Sequence, residues 1–231
     1  GWGRLEAREL AIAMALVVAC MVLARTWAML VNRLADRDLD AENARTKRRV
    51  FASGRLGVRT GWIVAGAVAG LFVLAAAGFW AWLGNPWPMY LSGPVLIWVA
   101  FYSITKRFTW LCHLFLGGAL AASPIAAAIA LRPGALGDTP ARWAVAGMVV
   151  VWVAGFDIIY ALQDVAFDRG RGLSSVPASL GVGRAIWISR VLHGVAMGLL
   201  MLAWRMEPRF GWLFGAAVVL VAVLLVMEHL V

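Results

Sequence analysis

The chain has 231 residues, of which 63% are hydrophobic and only 14% are charged. A soluble domain of this length usually has about 25% charged and 45–50% apolar residues, so the composition excludes an ordinary soluble protein. The charges lie in short clusters between apolar runs of about 17–23 residues, the length that a helix needs to cross a hydrocarbon core of roughly 30 Å. We therefore predict an all-α membrane protein.

Seven apolar runs are predicted to be transmembrane helices. They are rich in Ala, Leu and Gly and lack the two-residue alternation of an outer-membrane barrel, which favours helices over strands. Helices also satisfy their own backbone hydrogen bonds, which lipid cannot do. In chain order, the predicted spans are Leu10–Val31, Gly61–Leu83, Met89–Thr105, Trp110–Leu131, Trp143–Gln163, Ala185–Trp204 and Gly211–Met227.

The formal net charge of +9 is distributed unevenly between the loops. If the spans alternate in direction, loops 32–60, 105–109 and 164–184 share one side and contain thirteen of the 21 Lys and Arg residues, whereas the other side contains six. Positive residues favour the cytoplasmic side of a membrane. The charge is therefore interpreted as a sign of orientation rather than of nucleic-acid binding, and these three loops are expected to face the cytoplasm.

Cysteine and histidine residues do not indicate a zinc site or a disulfide. Cys20 and Cys112 fall inside predicted spans, where cysteine packs as a small apolar residue. The three histidines lack zinc-ligand spacing. His113 is interpreted as a polar residue that packs between helices.

The first of two acidic helix ends contains Asn32, Asp36 and Asp40, each four residues after the previous one. A step of four residues advances 400° around a helix, so the three side chains are expected on one helix face. Asp38 lies on roughly the opposite face and is expected to be solvated. Like charges four residues apart destabilise a helix slightly, so this face is expected to have a cationic partner.

The second acidic helix end repeats the spacing with Tyr160, Asp164 and Asp168. Asp157 precedes them on the same face, about two turns inside a predicted span. An acid at that depth is costly unless it faces a polar cavity, so Asp157 is a candidate functional residue.

Both acidic faces suit a hard divalent cation. Mg²⁺ takes oxygen ligands and is usually held by one or two carboxylates together with substrate phosphates. Two such faces, opposed across a helix bundle, would place metal ions on either side of one diphosphate. Cations in the neighbouring loops would bind the phosphate oxygens that the metal does not hold. These cations are Arg45, Lys47, Arg48, Arg49, Lys106 and Arg107.

The motifs resemble those of the UbiA superfamily of intramembrane aromatic prenyltransferases. Segment 32–54, NRLADRDLDAENARTKRRVFASG, is similar to the first family signature, N-x3-D-x3-D followed by an Arg-Thr-Lys-x-Arg loop. Segment 157–181, DIIYALQDVAFDRGRGLSSVPASLG, is similar to the second, in which a tyrosine precedes D-x3-D. Segment 102–107 resembles the family's Tyr-x3-Lys-Arg. The second motif looks most like the 4-hydroxybenzoate polyprenyltransferase group, including its menaquinone branch.

The resemblance covers essentially the whole chain, with two departures. Family members usually have nine spans, so residues 1–231 are expected to form a single transmembrane prenyltransferase domain that lacks the first and last family helices, a fragment of a nine-span fold. The family commonly has Pro where Ala44 and Val50 stand, a change expected to affect loop stiffness more than ligand chemistry.

The resemblance implies Mg²⁺-dependent ionisation of an allylic polyprenyl diphosphate and transfer of its polyprenyl group to an aromatic acceptor. Lys106 and Arg107 would stabilise the departing diphosphate, which is differential binding of the transition state. The implied metal ligands are Asn32, Asp36, Asp40, Asp164 and Asp168.

Further roles are implied around these motifs. Arg45, Lys47 and Arg49 would bind the diphosphate. Tyr102 or Tyr160 would steady the carbocation or orient the acceptor. Asp157 is the candidate base for proton loss from the ring, and the apolar prenyl chain would lie among the spans.

The resemblance favours 4-hydroxybenzoate or a related aromatic acid of quinone biosynthesis as the acceptor. A naphthoate, a porphyrin-derived ring and homogentisate also suit acids and metals, and the prenyl length stays open because it depends on cavity shape. The expected location is the cytoplasmic (inner) membrane of a prokaryote, with the active site facing the cytoplasm.

Two other classes of membrane protein use intramembrane acids. A secondary transporter would use them for ion coupling, but transporters generally bind near the midplane on broken helices, whereas these acids are expected at the cytoplasmic ends of unbroken spans. The CDP-alcohol phosphotransferases require an Asp-Gly and Ala-Arg order between their acids, which neither motif contains.

Overall fold

The structure, a computed structural model, describes residues 6–134, 137 and 140–230. Within these residues the chain is helical and contains no strand. The elements are α1 (Ala7–Ala35), α2 (Arg37–Glu42), α3 (Val58–Leu83), α4 (Trp87–Thr105), α5 (Cys112–Leu131), α6 (Ala141–Ala161), a 3₁₀ turn (Leu162–Asp164), α7 (Val165–Gly170), α8 (Val176–Leu180), α9 (Val182–Met206) and α10 (Trp212–Leu230).

Each of the seven predicted spans coincides with a long helix, with ends that differ by a few residues. Six segments are long and apolar enough to cross a membrane: α1, α3, α4, α5, Ala141–Gly170 and α9. The seventh, α10, has a shorter apolar stretch, Trp212–Glu228. The prediction of an all-α transmembrane protein is confirmed.

Both acidic motifs interrupt the helix at or beyond the end of a predicted span, so the expectation of one continuous helix through each motif is wrong, whereas the span Leu10–Val31 is unbroken within α1. Helix α1 ends at Ala35, and Asp36 leaves the helical region with φ −94° and ψ 8° before α2 begins. Helix α6 ends at Ala161 and passes through the 3₁₀ turn to Asp164, which has φ −109° and ψ 6°. Aspartate favours such breaks because its carboxylate competes for nearby backbone groups and is repelled by acids four residues away.

The chain forms two compact units. The first contains the residues up to Ile104 together with Ala126–Pro133. In it, α1 packs on α3 through a cluster that includes Leu16 and Phe79, and a second cluster joins Leu34 of α1 to Phe51. A side chain at Gly61 of α3 would collide with the ring of Phe51, so this glycine lets the loop after the first acidic motif dock closely.

The second unit contains Thr105–Ile125 and the residues from Gly134 onward. Helices α6 and α9 pack closely at Gly155, where an added Cβ would lie 2.6 Å from the ring of His193. The hydroxyl of Ser189 on α9 donates a hydrogen bond to the Gly155 carbonyl oxygen at 2.8 Å. After α9, Arg209 donates hydrogen bonds of 2.7 Å to both carboxylate oxygens of Glu207, which lowers the pKa of Glu207 to about 2.

Gly117 on α5 provides a test of helix packing in the second unit. A Cβ added there would overlap the backbone carbonyl oxygen of Val150 on α6, an atom that cannot rotate away. We expect Gly117→Ala to lower the free energy of unfolding by about 1–3 kcal/mol, as overpacking does. Thermal unfolding of the detergent-solubilised protein measures this change.

Gly194→Ala is the matched control, because a Cβ at Gly194 on α9 would meet nothing within 4 Å. Alanine is favoured over glycine in a helix by about 1 kcal/mol, so this variant is expected to keep or raise the melting temperature. Equal losses of stability in the two variants would contradict the close approach of α5 and α6.

Candidate active site

The first acidic motif places two carboxylates in the protein interior. Asp36 is 3% exposed and Asp40 is 6% exposed, whereas the side chain of Asp38 between them is 81% exposed. The prediction that Asp38 is solvated is therefore confirmed. Asp36 lies at the break between α1 and α2, and Asp40 lies within α2.

That loop folds back onto Asp40. Arg49 donates from its guanidinium to Asp40 Oδ1 at 2.7 Å, and the buried hydroxyl of Thr46 donates to the Asp40 carbonyl oxygen at 3.1 Å. Phe51 then anchors the loop in the cluster with Leu34. Arg49, which is predicted to bind the diphosphate, thus forms a direct ion pair with the first acidic motif.

The second carboxylate oxygen of Asp40 is buried and has no hydrogen-bond partner among the described residues. A buried charged oxygen without a partner is costly, because it has lost its water and gained nothing in exchange. A hard cation would satisfy this oxygen, since Mg²⁺ prefers carboxylate ligands. The residues of this motif therefore fit a magnesium ion.

The other predicted residues of the first unit lie at different depths. Asn32 at the end of α1 and Tyr102 on α4 are half-buried. Arg45 and Lys47 are exposed in the loop that Arg49 anchors, a position open to an anionic ligand.

The second acidic motif is organised around Asp168. Its carboxylate is 8% exposed and accepts a hydrogen bond from the hydroxyl of Ser175 at 2.9 Å. The same hydroxyl caps α8 by accepting from the backbone N–H of Ala178 at 3.4 Å. Arg169 holds the other end of α8 through the carbonyl oxygens of Pro177 and Ala178. The segment that follows the motif is therefore tied back onto it.

Asp164 and Tyr160 border this region. Asp164 ends the 3₁₀ turn and is half-buried, and Tyr160 on α6 is 45% exposed. Lys106 and Asp164 both lie near enough to Asp168 for their charges to influence its carboxylate. A joint role of Asp164, Asp168 and Lys106 in one site stays a prediction.

The turn after α4 joins the same region. The carbonyl oxygen of Lys106 accepts from the backbone N–H of Ser174 at 2.7 Å, and the thiol of Cys112 lies 3.5 Å from the Ser174 carbonyl oxygen. Arg107 follows Lys106 in the turn and is exposed. The third sequence motif is thus attached to the segment after the second one.

Asp157 has a histidine partner. Its Oδ2 lies 2.7 Å from Nδ1 of His113, which is 3% exposed at the start of α5. The backbone N–H of Val176 donates to the other ring nitrogen, Nε2, at 3.2 Å. This pattern assigns the ring proton to Nδ1, because Nε2 has to accept.

Each acidic motif supplies a pair of carboxylates. No group of three or more His, Cys, Asp or Glu side chains suited to a metal ion occurs in the described part of the chain. Mg²⁺ usually keeps several waters and takes one or two carboxylates together with substrate phosphates. Pairs of carboxylates are consistent with such an ion.

His113 and Ser175 were missed as candidate site residues. The interpretation of His113 as a residue that packs between helices is incomplete. Both of its ring nitrogens also make hydrogen bonds to residues of the second motif segment, Asp157 and Val176. Ser175 lies within segment 157–181, which resembles the second family signature. Its position seven residues after Asp168 is the only signal, and it indicates a contact only once the chain is known to reverse.

These features define an integral membrane protein with an acidic pair at each of two helix ends, in which Asp36, Asp40 and Asp168 are buried and Asp164 is half-buried. The UbiA prenyltransferase family matches residues 6–231, and the chain belongs to that family.

Several bacterial relatives are named 4-hydroxybenzoate octaprenyltransferase. The one from Azotobacter vinelandii is 30% identical over 190 residues, which cover 80% of this chain and 60% of the relative. The one from Pseudomonas aeruginosa is 31% identical over 201 residues, which cover 86% of this chain and 64% of the relative. The chain thus spans about three fifths of the length of these curated relatives.

Solved structures share the fold. An apo UbiA homologue from Aeropyrum pernix K1 has a TM-score of 0.85 and 30% identity, with 94% of this chain and 79% of that chain covered. A UbiA homologue from Archaeoglobus fulgidus bound to GPP and Mg²⁺ has a TM-score of 0.69 at 19% identity. The match covers 95% of this chain and 75% of that chain.

Proposed function

We propose that the protein transfers a prenyl group from an allylic prenyl diphosphate to an aromatic acceptor in a Mg²⁺-dependent reaction. The observation that carries the proposal is the buried Asp40 carboxylate, which has one oxygen paired with Arg49 and the other without a partner. The GPP, DMAPP and Mg²⁺ bound to the Archaeoglobus fulgidus homologue support the proposed substrate class and metal.

The residues proposed to hold Mg²⁺ are Asn32, Asp36 and Asp40 in one motif, and Asp164 and Asp168 in the other. When bound, the metal would neutralise the diphosphate and so make it a better leaving group. Asp36, Asp40 and Asp168 are each less than 10% exposed, and electrostatic interactions are stronger at such buried positions than in water.

The basic residues are proposed to hold the diphosphate itself. Arg49 pairs with Asp40 through one nitrogen. Its guanidinium has further N–H donors, which would bind the diphosphate oxygens. Arg45 and Lys47 on the same loop, with Lys106 and Arg107 after α4, would add charge-assisted hydrogen bonds that strengthen as the allylic C–O bond breaks.

Bond formation to the ring is proposed to end with proton loss to Asp157. The electrons of the C–O bond leave with the diphosphate, a ring carbon of the acceptor bonds to the allylic carbon, and that ring carbon then releases its proton. Oδ2 of Asp157 is engaged by His113, so Oδ1 would take the proton. Tyr102 or Tyr160 would orient the acceptor or stabilise the allylic cation through its ring face.

The acceptor proposed is 4-hydroxybenzoate, after the bacterial relatives that carry it in their names. This acceptor would place the reaction in quinone biosynthesis. The proposed location is the cytoplasmic membrane, with the basic loops and the acidic motifs on the cytoplasmic side.

The acidic helices do break, a feature that transporters also show. The breaks nevertheless come after 29 residues of α1 and 21 residues of α6, at helix ends rather than at a midplane. Membership of the prenyltransferase family also favours the enzyme.

The test is prenyl transfer by membranes that contain the protein, with radiolabelled polyprenyl diphosphate and 4-hydroxybenzoate. A labelled aromatic product that forms with Mg²⁺ and is absent with excess EDTA is expected. If product forms only with a naphthoate or only with homogentisate, that compound replaces 4-hydroxybenzoate as the proposed acceptor. Folded protein that forms no product with any acceptor would contradict the proposed function.

A further inference from the structure

A short segment after the second acidic motif, residues 174–177, is attached to three other parts of its unit. The backbone N–H of Ser174 donates to Lys106, the hydroxyl of Ser175 donates to Asp168, and the N–H of Val176 donates to His113. The segment is also largely buried, with Ser175 4% and Val176 3% exposed. Its position therefore depends on these hydrogen bonds rather than on solvent.

His113 is the side chain that links this segment to the membrane-embedded acid Asp157. One ring nitrogen lies 2.7 Å from Asp157 Oδ2, and the other accepts from Val176 N–H at 3.2 Å. Only a neutral imidazole with its proton on Nδ1 makes both hydrogen bonds, because one nitrogen has to donate while the other accepts. The ring therefore fixes the Asp157 carboxylate and the backbone of Val176 together.

The chain of contacts continues to Asp168. Val176 is bonded directly to Ser175, whose hydroxyl donates to Asp168 Oδ2 at 2.9 Å. A rigid peptide unit thus separates the hydrogen bond to His113 from the hydrogen bond to Asp168. Movement of the His113 ring would shift Ser175 and, with it, the orientation of the Asp168 carboxylate.

We infer that His113 is a positioning residue that sets Asp157 and Asp168 in fixed orientations through this relay. The inference rests on the proposed function, in which Asp157 accepts the ring proton and Asp168 helps to hold Mg²⁺ and the diphosphate. His113 is buried and both of its ring nitrogens face protein groups, so its proposed role is to orient other residues rather than to bind a substrate. Its two hydrogen bonds affect two different steps. The bond to Asp157 orients the base that accepts the ring proton, and the bond to Val176 orients Asp168, which helps to hold the diphosphate.

Two amide substitutions of His113 test its two hydrogen bonds one at a time, because each variant keeps one bond and loses the other. The amide nitrogen of Asn in His113→Asn lies near the position of Nδ1, so it keeps a donor for Asp157 but does not reach Val176. The longer side chain of His113→Gln places its amide oxygen near the position of Nε2, so it keeps an acceptor for Val176 and loses the donor to Asp157.

The expected result is a split between kcat and KM. His113→Gln is expected to lower kcat with little change in the KM for prenyl diphosphate. His113→Asn is expected to raise that KM and weaken Mg²⁺-dependent diphosphate binding. Each change is about 10–100-fold, the size found when partners of metal ligands are replaced. A purely structural role would lower the apparent kcat of both variants in proportion to the loss of folded protein and leave the KM unchanged, and that outcome would overturn the inference.

Nitrogen-15 NMR of the histidine-labelled protein supplies a readout other than activity. His113 is expected to show the neutral tautomer with hydrogen on Nδ1, and Asp157→Asn is expected to shift the Nδ1 signal. A tautomer with hydrogen on Nε2 would overturn the relay even if the enzyme is active. A wild-type protein that shows the expected tautomer but neither binds diphosphate nor forms product would instead refute the proposed function.

Discussion

Asp40→Asn is expected to reduce prenyl transfer by about 10²–10³-fold, the usual loss when one preorganised electrostatic contact is removed from an active site. Asparagine keeps the shape of the side chain, and its carbonyl oxygen still accepts from Arg49. With that oxygen at Arg49, the buried position of Oδ2 would hold the amide NH₂ group, which is a hydrogen-bond donor and cannot bind a cation. A neutral amide is a poorer Mg²⁺ ligand than a carboxylate, so the Mg²⁺ concentration for half-maximal rate should rise as well.

Asp38→Asn is the matched control for Asp40→Asn. It makes the same chemical change two residues earlier, in a side chain that is 81% exposed and paired with Arg37. Exposed ion pairs contribute little, so activity within about twofold of wild type is expected. Equal losses in Asp38→Asn and Asp40→Asn, in protein that melts at the wild-type temperature, would refute the assignment of Asp40.

Asp168→Asn is expected to cause a loss of similar size, because it removes the charge of the second acidic motif and leaves its local structure intact. The amide oxygen still accepts from the hydroxyl of Ser175, which in turn still caps α8. The fold of the segment after the motif should therefore be preserved. Steady-state transfer rates over a range of Mg²⁺ concentrations measure the effect.

Ser175→Ala distinguishes the effect of the charge of Asp168 from the effect of its orientation. This variant keeps the carboxylate and removes only its hydrogen-bond donor, so we expect a loss of about tenfold, smaller than that of Asp168→Asn. Removing the cap of α8 would also cost about 1 kcal/mol of stability, so the melting temperature has to be measured alongside. A larger loss in Ser175→Ala than in Asp168→Asn would mean that the charge of Asp168 is not what the reaction uses.

The transmembrane helices were predictable from the sequence because lipid imposes a simple rule on composition. A run of some twenty apolar residues has few structures other than a helix in a membrane. Leu10–Val31, for example, lies wholly within α1, Ala7–Ala35. The helix ends were less predictable, because helical geometry extends into polar residues such as Arg33.

The interruption at each acidic motif was not predictable from spacing alone. The four-residue period placed Asp36 and Asp40 on one face of a continuous helix, and burial of both with exposure of Asp38 agrees with that pattern. Their repulsion predicts a bound cation. The same repulsion also disfavours a continuous helix, and α1 ends at Ala35.

The contacts of His113 could not be predicted because they join residues that are remote in sequence. Asp157 is 44 residues away and Val176 is 63 residues away, and no local pattern relates these positions. A histidine in an apolar span indicates a polar partner without saying which one. Only the packing of α5 against α6 and the chain reversal after α7 bring these groups together.

The most direct test of the account is Mg²⁺-dependent binding of an unreactive prenyl thiolodiphosphate to the purified protein, measured by isothermal titration. The wild type is expected to bind it with Mg²⁺ and not with excess EDTA. Asp40→Asn and Asp168→Asn are each expected to weaken this binding by at least tenfold, while Asp38→Asn binds as wild type does. Binding that is indifferent to Mg²⁺, or that survives both substitutions unchanged in folded protein, would contradict the assignment of the two acidic motifs to the prenyl diphosphate.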